Sequence, residues 1–114
     1  MSNLNLYYNE LSGNIPAELG SLSNLEYLNL SRNDVSGNIP TELGDLSNLK
    51  YLQLWGTLLS GSIPTELGSL SNLEFLDLSN NYQMDATIPV ELHQLCDTYG
   101  NTLPYGSPHC IFNF

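Results

Sequence analysis

The stretch Leu25-Glu26-Tyr27-Leu28-Asn29-Leu30 occurs in three versions, returning as Leu49-Lys50-Tyr51-Leu52-Gln53-Leu54 and as Leu73-Glu74-Phe75-Leu76-Asp77-Leu78. Between these blocks, Ser36-Gly37-Asn38-Ile39-Pro40 returns as Ser60-Gly61-Ser62-Ile63-Pro64. Each copy begins 24 residues after the one before it. A fixed period of this length predicts a solenoid of stacked coils, in which one repeat cannot fold without its neighbours. Function is then expected on a surface of the stack rather than in a catalytic pocket.

The period divides the chain into four repeats and a tail. The predicted repeats span residues 1–24, 25–48, 49–72 and 73–97, and residues 98–114 are predicted to form a C-terminal cap. The fourth repeat carries one extra residue between Asn81 and Met84, so its proline falls at Pro89. After Leu95 the pattern stops, and Gly, Pro and aromatic residues follow without a period.

The charge of the chain is strongly negative. It has 2 Lys and Arg residues against 12 Asp and Glu residues, for a net charge of -10. Such a surface repels phosphate groups, so nucleic acid and anionic membranes are disfavoured as partners. No apolar run approaches the roughly 18 residues that a membrane span needs, which argues against membrane insertion of this segment. The first residues lack the features of a secretory signal, so the signal of a secreted parent would lie upstream.

Within one repeat, residues alternate as they do in a short β-strand. Leu28 and Leu30 are expected to face the interior, while Tyr27 and Asn29 face the other side. An asparagine then recurs where the chain must bend, and its amide can bond to the turn backbone. The recurring positions form three further columns: Asn9, Asn33, Thr57 and Asn81 at the bend; Gly13, Gly37 and Gly61, where positive φ is expected; and Pro16, Pro40, Pro64 and Pro89, where the chain must be extended.

Two cysteines lie close together near the end of the chain. Cys96 and Cys110 fit a disulfide that ties down one end of the solenoid, worth about 3 kcal/mol for a loop of this length. The alternative is a pair of reduced thiols in a cytosolic protein. Together with His93 and His109 they match no standard zinc spacing, and we predict no metal, no cofactor and no catalytic site.

The run Leu-x-x-Leu-x-Leu-x-x-Asn-x-Leu-Ser-Gly-x-Ile-Pro-x-x-Leu-Gly-x-Leu resembles the plant-specific class of leucine-rich repeats. Residues 25–46 and 49–70 match it most closely, with Val35 in place of Leu and Thr57 in place of Asn. Similar proteins include the ectodomains of plant receptor-like kinases and the polygalacturonase-inhibiting proteins. The resemblance implies an α/β solenoid: a right-handed superhelix with a concave parallel β-sheet, a second short strand, 3₁₀-like turns on the convex side and little α-helix.

The resemblance also implies a non-enzymatic module that binds a protein or peptide on its concave face, as part of a larger receptor-like or secreted protein. An extracellular or cell-surface location follows from it and from the cysteine pair. Strand residues that do not face inward form columns, in which aromatic rings supply buried area and amides bond to an extended chain. The candidate ligand-binding residues are Tyr7, Tyr27, Asn29, Arg32, Tyr51, Gln53, Trp55, Phe75 and Asp77. Aromatic packing across strands, without any ligand, is the alternative role of the rings.

Three other interpretations stay open from the sequence. Asn29-Leu30-Ser31 is an N-glycosylation sequon, or a chance product of an Asn-rich repeat. The polar column of Asn5, Asn29, Gln53 and Asp77 is an irregular version of the ladder expected for ice or surface binding. The chain is also interpretable as a scaffold fragment that self-associates through an uncapped N-terminal end, formed by Leu4, Leu6, Leu11 and Ile15.

Overall fold

A computed structural model describes residues 2–96 and 107–114 of the chain. Five short parallel strands form one sheet, which we call the concave sheet. In sheet order they are β1 (Asn3–Asn5), β3 (Tyr27–Asn29), β5 (Tyr51–Gln53), β7 (Phe75–Asp77) and β9 (His109–Ile111). Leu28 pairs with Leu52, and Leu52 pairs with Leu76. Equivalent letters of successive repeats are therefore neighbours, and the predicted stacking is confirmed.

The rest of each coil is also regular. A second parallel sheet is formed by β2 (Ser12–Asn14), β4 (Asp34–Gly37), β6 (Leu58–Gly61) and β8 (Gln83–Met84). Three 3₁₀ helices follow the prolines, at Ala17–Ser21, Thr41–Asp45 and Thr65–Ser69, and the fourth repeat has instead the α-helix α1, Val90–Leu95. The second strand, the 3₁₀ turns and the low helix content agree with the predicted fold class.

The predicted inward leucines form the core. Leu28, Leu52 and Leu76 have no exposed surface, and Leu30, Leu54 and Leu78 are at most 4% exposed. At about 2 kcal/mol for each fully buried leucine, these rows provide the main driving force for stacking. The equivalent residues of the first repeat, Leu4 and Leu6, are only partly buried, because no coil lies on their outer side.

The asparagine column joins the coils through buried hydrogen bonds. The Asn33 amide donates to the carbonyl oxygen of Leu30 in its own turn and to that of Leu6 in the preceding coil, at 3.1 and 2.8 Å. Its Oδ1 accepts from the Leu11 N–H at 3.1 Å. Asn33 is 4% exposed, so one buried side chain satisfies backbone groups of two repeats. The predicted role within the turn is confirmed, and a role between coils is added to it.

Two positions in the repeat require glycine, each for a different physical reason. Gly37 has φ of 78°, as predicted for its column, and this left-handed conformation suits a residue without Cβ. Gly44 lies where the next coil approaches: a Cβ on it would stand 2.5 Å from the backbone oxygen of Glu66. The close stacking of successive 3₁₀ helices therefore requires the Leu-Gly pair that ends this part of the repeat motif.

The tail contributes more than the predicted aperiodic cap. Residues 107–114 are described, and β9 pairs with β7 so that His109 faces Phe75 and Cys110 faces Leu76. Cys110 is bonded to Cys96, and both are buried. The tail therefore adds a fifth strand to the concave sheet, with Cys110 in the position of a core leucine. Residues 98–106 of the predicted cap lie outside the described residues.

Candidate functional site

The concave sheet presents two columns of outward-facing side chains along its strands. The register places Tyr27, Tyr51 and Phe75 side by side in one column, and Asn29, Gln53 and Asp77 in the next. The parallel strand β9 extends the columns with His109 and Ile111. These last two residues were absent from the predicted site because the tail has no leucine to mark a strand. The burial of Cys110 between its more accessible neighbours is visible only in the structure.

The rings of the first column contact one another in pairs. The centroids of Tyr27 and Tyr51 lie 6.0 Å apart, and the ring of Phe75 stacks on His109 at 5.8 Å. Tyr51 is 39% exposed, whereas Tyr27 and Phe75 are half-buried. The column therefore combines cross-strand packing, which stabilises the sheet, with ring surface that stays open to a partner.

The second column is not a row of free amides. Asn29 is only 5% exposed; its Nδ2 donates to the Tyr27 hydroxyl at 3.2 Å and its Oδ1 accepts from the Ser31 N–H at 3.0 Å. The structure thus differs from the expectation that Asn29 is open, either to a ligand or to a glycan. Gln53 donates to the same Tyr27 hydroxyl at 3.3 Å. The burial of Asn29 also interrupts the polar ladder that an ice-binding surface would need.

Asp77 is the fourth member of this column and is partly buried. Its Oδ1 accepts from the Ser79 N–H at 2.9 Å and from the Ser79 hydroxyl at 2.6 Å. This arrangement is the acidic equivalent of the Asn29 turn, which lies two strands away in the same column. Asp77 therefore positions the end of β7 and keeps one carboxylate oxygen with no hydrogen bond among the described residues.

A second cluster lies where the concave strands end, and we call Tyr7, Tyr8, Arg32 and Trp55 the edge cluster. The ring centroids of Tyr7 and Trp55 are 5.8 Å apart, and those of Tyr7 and Tyr8 are 6.0 Å apart. The Arg32 guanidinium lies 5.3 Å from the Tyr8 ring centroid and 5.9 Å from that of Trp55. Cation–π attraction therefore holds Arg32 between two rings of neighbouring coils.

A small residue allows the rings of this cluster to meet across three coils. Ser31 lies between Tyr7 and Trp55 in their column and is fully buried; its hydroxyl accepts from the Trp55 N–H at 3.1 Å. Strands are spaced by about 4.8 Å, so rings two strands apart meet only when the residue between them is short. Tyr7 and Trp55 thus contact each other above Ser31.

The backbone of the edge cluster is unusual. Tyr8 and Arg32 have φ of 58° and 57°, and the same column continues with Gly56 at 64° and Asn80 at 58°. The left-handed region favours Gly and Asn, and it costs about 1 kcal/mol for other residues. Tyr8 was not among the predicted site residues. The Gly and Asn in its column were the signal that a corner lies there.

Charged residues surround a groove at the other end of the concave strands. Lys50 Nζ lies 3.2 Å from a Glu26 carboxylate oxygen, and this hydrogen bond is the main reason that the pKa of Lys50 is raised. The Glu74 carboxylate raises the pKa of the Tyr51 phenol, first as a hydrogen-bond acceptor and second through its charge. We call this groove, lined by Glu26, Tyr27, Lys50, Tyr51 and Glu74, the entry groove; its cavity volume is about 430 Å³.

The described part of the chain contains neither a metal-binding cluster nor a membrane-spanning helix. Residues 2–96 and 107–114 contain no group of three or more His, Cys, Asp and Glu side chains arranged to hold a metal ion. No helix in these ranges combines the length and apolarity needed to cross a bilayer.

Comparisons with known proteins agree with this geometry. The profile of the family described as Leucine Rich Repeat matches residues 1–22, 24–46, 48–70 and 72–95. No curated protein sequence matches the chain.

Solved structures of plant receptors are similar to the chain. The plant peptide hormone receptor RGFR1 in complex with RGF2 superposes with a TM-score of 0.80 at 34% identity, over 83% of this chain and 15% of the receptor. The PEPR1–AtPEP1 structure gives 0.80 at 45% identity, over 82% and 13%. The BIR3–SERK2 complex from Arabidopsis thaliana gives 0.77 at 36% identity, over 97% and 60%. The chain thus spans a small part of the first two receptors. With four matched repeats and their register observed, the chain belongs to the leucine-rich repeat family.

Proposed function

We propose that the chain is a recognition module that binds a protein or peptide on its concave face. The observation that carries this proposal is the edge cluster, in which exposed rings and one cation from three coils are gathered beside an open sheet. Trp, Tyr and Arg are the residue types that dominate binding energy at protein interfaces. The similar RGFR1 structure, in complex with RGF2, supports a peptide as the class of partner.

The contact surface that we propose has two parts. Trp55, Tyr7 and Arg32 form the anchor, and the rings of Tyr51, Tyr27 and Phe75 supply a flatter apolar surface along the strands. Gln53 and Asp77 offer hydrogen bonds to an extended backbone. Asn29 acts indirectly, because its buried amide orients the Tyr27 hydroxyl.

Left-handed backbone at Tyr8 and Arg32 is consistent with such a role. Residues other than Gly and Asn keep this conformation only where the surrounding structure enforces it, and such positions cluster at functional sites. Here the conformation brings an arginine and a tyrosine toward Trp55. In a scaffold without a ligand, Gly or Asn would fit these positions equally well. The third and fourth repeats have Gly56 and Asn80 there.

Replacing Trp55 by Ala is the direct test. Linear peptides selected from a displayed random library against the wild-type chain would serve as probes, and isothermal titration calorimetry would measure their binding, because replacing Trp55, the sole tryptophan, removes the fluorescence signal. We expect the Ala variant to bind the selected peptides at least about 30-fold more weakly, which corresponds to loss of about 2 kcal/mol. The circular dichroism spectrum should be unchanged, since Trp55 is outside the leucine core.

Val90→Ala provides the control, because Val90 is 61% exposed on α1, away from the concave sheet. This variant should bind as the wild type does. Equal binding by the Trp55 variant, or loss of binding in both variants, would contradict a concave site.

An extracellular or cell-surface location and a non-enzymatic role are part of the same proposal. The Cys96–Cys110 bond is a feature of oxidising compartments. The similar structures are receptors and their complexes, which supports binding rather than catalysis as the function. A cytosolic protein would be expected to keep both thiols reduced.

We also infer that the isolated chain self-associates through its N-terminal end. The face there includes Leu4, Leu6 and Leu11 beside the unpaired edge of β1, and Leu11 is 38% exposed. Leu11→Asp should shift sedimentation toward the monomer, because a buried carboxylate would oppose the contact. Leu58→Asp, at 43% exposed, is the matched control and should leave the association intact. A wild-type chain that is monomeric at high concentration would overturn this inference.

A further inference from the structure

The entry groove is lined by three charged side chains, which a purely apolar contact would not require. Glu26, Lys50 and Glu74 follow one another in the column that precedes the concave strands, so the single cation lies between two carboxylates. Lys50 pairs with Glu26 at 3.2 Å, and Glu74 lines the same groove as Tyr51. Glu74 is exposed and forms no ion pair within 4.0 Å among the described residues, although its charge adds to that of Glu26 in raising the pKa of Lys50.

Both basic side chains of the chain already have partners. Its only cations are Lys50 and Arg32, against 12 acidic residues. Lys50 is engaged by Glu26, and Arg32 lies between the rings of Tyr8 and Trp55 at the opposite end of the strands. The acidic excess of the entry groove is therefore not neutralised from within.

Lys50 shows how this groove holds an ammonium group. Its Nζ lies beside one carboxylate, with the Tyr27 and Tyr51 rings at a centroid separation of 6.0 Å in the adjoining column. The combination of a carboxylate with an exposed ring face favours a second cation on the Glu74 side, through ion pairing and cation–π attraction together. The net charge of the whole chain attracts the same kind of partner from a distance.

We infer that the entry groove receives a Lys or Arg side chain of a positively charged, extended partner segment, which lies against Tyr51 and pairs with Glu74. This inference rests on the proposed peptide recognition and adds the chemistry of the partner. It also predicts a polarity for the bound segment, because its cationic side chain lies at the start of the strands and its apolar anchor contacts lie at the edge cluster.

A pair of charge-matched variants tests the inference. Glu74→Gln and Glu66→Gln each remove one negative charge, the first in the entry groove and the second on a convex 3₁₀ helix. The probes are the library peptides whose binding depends on Trp55. We expect those peptides to be enriched in Lys and Arg, to bind more weakly as salt is raised, and to lose about threefold in affinity with Glu74→Gln but little with Glu66→Gln.

The outcomes separate this inference from the proposed function. Trp55-dependent peptides without enrichment in Lys or Arg would overturn the cationic partner and leave concave recognition standing. Equal losses in the two Gln variants would overturn the assignment to the entry groove, because only the overall charge would then matter. A library without any Trp55-dependent binder would overturn the proposed function, and the present inference with it.

Discussion

Replacing Leu52 by Ala is expected to lower the free energy of unfolding by about 3 to 5 kcal/mol. Leu52 is fully buried in the third repeat and pairs with Leu28 on one side and Leu76 on the other. Its truncation removes apolar burial and leaves a cavity in a row that adjoining coils share, so the structure cannot collapse to fill it. In a stack of four repeats, loss of one interface also weakens its neighbours.

Leu58→Ala is the matched control for this experiment. The same chemical change at a residue that is 43% exposed should alter the free energy of unfolding by about 0.5 kcal/mol or less. Urea denaturation followed by circular dichroism gives both values. Similar losses in the two variants would mean that Leu52 does not occupy a shared interior.

Asn81→Ala is the second change with a large expected effect. Asn81 is fully buried, and its Nδ2 donates to the carbonyl oxygens of Leu54 and Leu78 at 2.9 and 2.8 Å. Its Oδ1 accepts from the N–H and hydroxyl of Thr57. Removal of the amide leaves several buried polar groups of two coils without partners, and we expect a loss of about 3 kcal/mol in the free energy of unfolding.

Asn72→Ala separates this effect from the loss of any asparagine. Asn72 is exposed and makes one hydrogen bond between coils, from Nδ2 to the Ser47 oxygen at 2.6 Å. Water can replace that bond, so the variant should lose at most about 1 kcal/mol in the same denaturation experiment. If both substitutions destabilise the chain equally, burial is not what makes Asn81 important.

Most of the fold could be predicted from the repeat, because the same physical requirement recurs every 24 residues. Leu28 and its equivalents predict the core, Asn33 predicts the bend, and Gly37 predicts the positive φ; all three agree with the structure. The strand β9 was not predicted, because it lies outside the 24-residue period. Its inward residue is Cys110 rather than leucine, and its pairing with β7 depends on a distant chain segment that no local period records.

The candidate site could be predicted from the sequence less completely than the fold. Position in a column identifies which way a side chain points, but not whether its neighbours cover it. Asn29 faces the concave side yet is buried, because the Tyr27 hydroxyl and the Ser31 N–H occupy its amide. In contrast, the rings of Tyr7 and Trp55 contact each other above Ser31. This contact depends on the small size of Ser31, which lies in the coil between them.

The two groups of positions therefore have different tasks. Leucines and asparagines that face inward stack the coils, whereas the exposed outward positions contribute less to that stack and form the surface. In this chain the outward positions gather rings and Arg32 at one end of the strands, and carboxylates with Lys50 at the other. A scaffold with the same core could present a different surface by changing only these residues.

Mapping a selected, Trp55-dependent peptide onto the isotopically labelled chain by amide chemical-shift changes tests the central claim most directly. We predict that the changes concentrate at Tyr7, at 27–32, at 51–56 and at 75–77, with little change in the 3₁₀ helices at 41–45 and 65–69. Changes concentrated in those 3₁₀ helices, with the concave strands unaffected, would contradict recognition by the concave face.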